Sequence, residues 1–98
     1  MRWLALLAFL ASSQAAAQPS PRCPRYAADW AAAQRHFDLT AISLGFVAAH
    51  QTFLDSGCRS RAPICPRGPA ETHLADAMTI AAMNAGAASS FLPFRCPD

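Results

Sequence analysis

Three kinds of side chain in this sequence have the chemistry to act: four cysteines, three histidines, and the arginines gathered near its middle. Cys23, Cys58, Cys65 and Cys96 follow one another at spacings of 35, 7 and 31. A structural zinc site draws its thiolates from close pairs such as C-x2-C, and neither that pattern nor a C-x-x-C redox or C-x-x-C-H haem motif occurs. An even number of widely spaced cysteines reads instead as two disulfides.

His36 and His50 are 14 positions apart, roughly 21 Å along one straight helix, too far to share an ion. His73 and Asp76, at i and i+3, supply two ligands, which is short of a site. We therefore expect no metal and no cofactor, with His36, His50 and His73 as solvated surface side chains. Ser43, Ser60, Ser89 and Ser90 lie in no nucleophile elbow or triad context, and no glycine-rich phosphate loop occurs. The sequence thus predicts no catalytic residue and no enzyme. The alternative, a small metal- or histidine-dependent enzyme, would have to use those three histidines.

Arg59, Arg61 and Arg67 cluster in and beside the 58–65 turn. They read either as charges that keep a loop solvated or as guanidinium forks offered to carboxylates on a partner protein.

The elements that must hold these residues begin after a leader. Met1-Arg2, an apolar run over 3–11 and the small residues Ala15-Ala16-Ala17 follow the order of a secretory signal peptide, with cleavage expected after Ala17. The apolar run is far shorter than the roughly 20 residues of a membrane span. The expected location is periplasmic or secreted. From residue 18 on, seven arginines face six acids, a net charge of +1, too close to neutral to favour nucleic acid. The apolar segment 39–54 is interrupted by His50, Gln51 and Thr52 and is too short to span a bilayer, so no integral membrane span is expected after cleavage.

Residues 18–22 are a proline-punctuated lead-in, and 23–98 a single small helical domain. Tyr26, Trp30, Ala33, Phe37, Ala41, Leu44 and Val47 recur every three or four residues, as on one face of a helix over 24–55. Such a helix would be roughly 48 Å long, so a break near Asp38, which can cap a new helix, is the alternative. A second stripe, Leu39, Ile42, Phe46, Ala49 and Phe53, follows. Gly57 suits a left-handed cap, and Gly68-Pro69-Ala70-Glu71 opens another helix. Its seam is Leu74, Met78, Ala81, Ala85, Ala88 and Leu92, and Pro93 is expected to stop it. No alternating strand pattern appears.

The fold class is therefore all-α: a disulfide-stapled antiparallel helical hairpin or a small three-helix bundle. In a hairpin the free ends meet, which predicts Cys23 with Cys96 and Cys58 with Cys65. The pairing of Cys23 with Cys58 and Cys65 with Cys96 requires the chain to reverse near Asp38, because bridged Cα atoms lie within about 7 Å.

Gly45-Phe46-Val47 in mid-helix, Cys65-Pro66-Arg67-Gly68 opening a helix, and Leu92-Pro93-Phe94-Arg95-Cys96-Pro97 at the terminus resemble the small disulfide-bonded immunity proteins that neutralise type VI secretion amidase effectors in the periplasm. The chain departs from that family in lacking a cysteine close before the Gly-aromatic pair. The resemblance implies a periplasmic immunity function. The residues themselves point to protein binding, as accessory subunit or inhibitor, toward another exported protein or itself as a homodimer. Leu39, Ile42, Phe46 and Phe53 are expected to form a partner-binding apolar patch if the segment before Asp38 does not fold back over them, and an internal three-helix core if it does; Arg59, Arg61 and Arg67 are the other candidate partner-binding residues.

Overall fold

The computed structural model describes residues 18–97; the leader expected at 1–17 lies outside them. Among the described residues three α-helices, α1 (Cys23–Ala33), α2 (Leu44–Asp55) and α3 (Gly68–Asn84), with a short 3-10 turn (Leu39–Ala41) between the first two, make an all-α fold closed by two disulfides. No helix among the described residues is long and apolar enough to cross a membrane.

The long helix over 24–55 does not form. α1 ends at Ala33, and side-chain caps then claim the backbone. Asp38 accepts from the Thr40 N–H and Ser43 accepts from the Phe46 N–H, satisfying donors that a continuous helix would have bonded four residues back. Asp38 therefore caps the 3-10 turn, and Ser43 caps α2. The turn sends α2 back along α1.

That reversal overturns the disulfide pairing expected of a simple hairpin. The bridges are Cys23–Cys58, with Cα atoms 5.5 Å apart, and Cys65–Cys96, with Cα atoms 4.4 Å apart. Once α1 and α2 are antiparallel, the start of one lies beside the end of the other, so each bridge closes one leg of the chain.

The reversal also removes the expected apolar patch. Ile42, Phe46 and Phe53 are at most 6% exposed and belong to the core with Tyr26, Trp30, Leu74 and Met78, while Leu39 packs half-buried against it. The stripe expected on 39–53 is thus largely covered; the large hydrophobics exposed among the described residues are Leu44 at the first turn of α2, at 88%, and Ile80 and Met83 on α3.

Two helix ends are closed in the same way. At α2 the Gly57 N–H donates to Leu54 and the Cys58 N–H to Phe53; at α3 the Gly86 N–H donates to Met83 and the Ala87 N–H to Ala82. Both are Schellman closures around a left-handed glycine. α3 thus stops at Asn84, well before Pro93, and Ala85 and Ala88 lie outside the helix.

The chain beyond α3 returns as a strap. Ile64 pairs with Phe94 in a single parallel bridge, the Ile64 N–H donating to Pro93 and the Arg95 N–H to Ile64. Leu92 and Pro93 are buried, and Phe94 stacks on Phe46 with ring centroids 5.9 Å apart.

Candidate functional site

Two constellations of polar side chains stand out, one buried and one open. The buried one joins α1 to α2. Tyr26 and His50 are each 1% exposed, and the Tyr26 hydroxyl lies 2.6 Å from His50 Nε2. His50 Nδ1 has no partner among the described residues. The phenol therefore donates into the Nε2 lone pair and the ring proton rests on Nδ1, because the opposite arrangement would leave two groups unpaired instead of one.

Trp30, Phe53 and Phe94 pack around the imidazole. Burial lowers the His50 pKa to about 4, and burial, reinforced by the negative Asp29, raises that of Tyr26 well above the phenol range. Closed to substrate, the pair holds two helices together. The reading of His50 as a solvated surface residue is thereby corrected. Phe46, His50 and Phe53 sit at i, i+4 and i+7, on one face, and that spacing places the imidazole inside. His36, in the turn after α1, and His73, on α3, are exposed. The described residues gather no three His, Cys, Asp or Glu side chains that could hold a metal ion.

Glu71 is a second buried polar group. Its carboxylate accepts from the Ser43 N–H at 2.7 Å and from the Arg67 N–H at 2.9 Å, pinning the starts of α2 and α3 together. Burial alone would raise its pKa; the hydrogen bonds from Ser43 and Arg67 outweigh that and hold it below the ordinary carboxylate range.

The open constellation is a cleft of about 500 Å3 lined by Ser20, Cys58, Arg59, Arg61 and Phe91. Gly57 and Cys58 both take left-handed backbone angles, φ 71° and 63°, which turns the chain out of α2 beside the lead-in. There the Ser20 N–H donates to Gly57. Ser56 Oγ accepts from the N–H groups of Arg59 and Ser60, fixing the backbone that carries Arg59. Arg61 reaches across to the strap, donating to the carbonyls of Phe91 at 3.0 Å and Ser90 at 3.1 Å, and Arg95 donates to the carbonyl of Arg61 in return. The Phe91 ring is set by edge contacts with Tyr26 and Phe53.

Arg59 and Arg61 give the lining of the cleft its positive charge. Arg59 makes no side-chain hydrogen bond or ion pair among the described residues, the Ser20 hydroxyl proton has no acceptor there, and no carboxylate lines the walls. Of the three arginines singled out in the sequence, the structure brings Arg59 and Arg61 together and places Arg67 apart, at the start of α3 beside Glu71. Compared with family models, with curated proteins and with solved structures, the chain matches none.

Proposed function

We propose that this protein works by binding rather than by catalysis, as a periplasmic or secreted accessory subunit or inhibitor. Its partner, another exported protein or a second copy of the chain, presents a carboxylate to the Arg59 cleft. The observation that carries this reading is the Arg59 guanidinium, without a side-chain partner among the described residues and beside a second arginine in a cleft that no carboxylate lines. The walls are held by the Cys23–Cys58 bridge and by the Arg61 strut, so on docking the freedom lost is chiefly that of the Arg59 side chain. A guanidinium–carboxylate pair reaches about 2 kcal/mol only where docking excludes water from it, against about 0.2–1 kcal/mol for a pair left exposed. Two disulfides fit an oxidising, exported environment.

The test is capture from a periplasmic or secreted extract with Arg59→Glu beside the unaltered protein. Arg59 is exposed, so the helical circular dichroism should be unchanged while capture is lost. Retained capture overturns the reading.

A second reading, an immunity protein that neutralises a secreted effector, rests on the sequence resemblance of the 45–47, 65–68 and 92–97 segments. Protection of cells that co-express an amidase effector would distinguish it.

A further inference from the structure

We infer that the Arg59 cleft takes a free chain end, the C-terminal carboxylate of a partner whose last residue is apolar; this rests on the binding reading above and names its ligand. The first step is the donor inventory. Ser20 Oγ already accepts from the Arg22 N–H, and the Phe91 and Ser90 carbonyls are engaged by Arg61. The walls thus offer positive charge and hydroxyl donation, with few free acceptors. An internal Asp or Glu would bring main-chain N–H groups from its own residue and the next into such a place, and each one left unpaired costs binding. A chain end brings one N–H and a full carboxylate, the poorest donor and richest acceptor that a peptide has.

The second step is the neighbour of the charge. Arg61 is hydrogen-bonded to the residue that carries the Phe91 ring, and the Cys58 half of the buried disulfide lines the same cleft. Charge and apolar wall are therefore adjacent. A C-terminal residue carries carboxylate and side chain on one Cα and matches that adjacency within a single residue, a form of carboxylate capture that peptide-binding proteins use elsewhere. The volume, about 500 Å3, lies toward the small end of ligand pockets and suits one or two residues rather than a folded surface.

The experiment titrates the oxidised protein with N-acetyl-leucine, following backbone amide shifts by NMR, with N-acetyl-leucinamide, acetate and inorganic phosphate as the other arms. N-acetyl-leucine should move Ser20, Arg59, Arg61 and Phe91 in a saturable way. The amide, lacking the charge, should bind about tenfold more weakly or worse, and Arg59→Ala should weaken the acid by a similar factor. Acetate, lacking the apolar group, should also bind more weakly. Equal binding of acid and amide, preference for phosphate, or shifts that map elsewhere overturns the inference. If those small ligands fail while Arg59→Glu still abolishes capture of a protein partner, the chain-end inference falls and the binding reading stands; if capture is insensitive as well, both fall.

Discussion

The two disulfides close loops of nearly equal span, 35 and 31 residues, yet they do different things. Cys23–Cys58 lies in the core, its cysteines 8% and 4% exposed. It sits where the lead-in, the left-handed turn and the ends of α1 and α2 converge. Cys65–Cys96 lies at the surface, Cys96 exposed, and ties down a strap whose aromatic side chains cover the Tyr26–His50 pair. In the chain-entropy account both restrict the unfolded state alike, by about 4 kcal/mol each. The difference lies in the folded state: one bridge is part of the packing, while the other fastens a cover over it.

The sharpest way to test that contrast is to remove each bridge. Cys23→Ser with Cys58→Ser should cost about 4 kcal/mol from the lost loop closure and about 1–3 kcal/mol more for each serine hydroxyl left unpaired in the core. Cys65→Ser with Cys96→Ser should cost about 4 kcal/mol at most, because the hydroxyl introduced at the exposed position 96 can reach water. Urea unfolding of both variants measures the gap, and equal losses would break the comparison.

The next largest effect concerns what the strap covers. Neutral imidazole is the folded form of His50; the unfolded chain takes up its proton near pH 6.5, the folded one only near about 4. Between those values the unfolded state binds more protons, so stability falls as pH is lowered through this window, by about 3 kcal/mol in all. Glu71 acts in a separate, lower window. Its folded pKa is depressed, so its contribution is present above the ordinary value and is lost as pH falls beneath that value toward the folded one. In His50→Leu the loss between pH 6.5 and 4 should vanish in urea titrations across pH, although the variant starts less stable because the Tyr26 hydroxyl loses its partner. A slope that persists in that variant would assign the window to another group.

Where sequence reasoning succeeded and failed follows from the range of each interaction. Local chemistry was legible: Gly57 as a left-handed cap, Pro69 and Glu71 at the start of α3, and the option of a break at Asp38 all depend on neighbours within a few residues. The disulfide pairing was not, because it follows from which way the chain leaves Asp38, and both directions satisfy the local pattern. Leu39, Ile42, Phe46 and Phe53 are legible as apolar, but their burial, with Phe53 against Tyr26 of α1 and Phe46 under Phe94 of the strap, is a tertiary fact. His50 was legible in principle from its spacing to Phe46 and Phe53. Arg61 was not: its partners are main-chain carbonyls of Ser90 and Phe91, 29 and 30 residues away, which leave no side-chain signature.

The smallest expected effect separates the two Schellman closures, one against Pro19 and the other against the Arg22 side chain. Gly57 has φ +71° and Gly86 φ +94°, so an alanine at either meets the same backbone cost of about 1 kcal/mol. Their surroundings differ. A Cβ on Gly57 would stand 2.8 Å from Pro19 Cβ and 2.9 Å from Pro19 Cα, in a lead-in fixed by the Ser20 bond to Gly57; a Cβ on Gly86 would meet the end of the Arg22 side chain, 2.8 Å from Nη1. Main chain pinned by a hydrogen bond has nowhere to go, whereas a guanidinium can swing into water, giving up only its bond to the Ala85 carbonyl. Gly57→Ala should therefore cost about 2–3 kcal/mol, as overpacking adds to backbone strain, and Gly86→Ala about 1–2 kcal/mol. In urea unfolding the order should hold, and in Gly57→Ala the amide resonances of Ser20 and Arg59 should shift as well, because the displaced lead-in forms one wall of the cleft. If Gly86→Ala proves the costlier, the region around Cys23–Cys58 is more yielding than its burial implies.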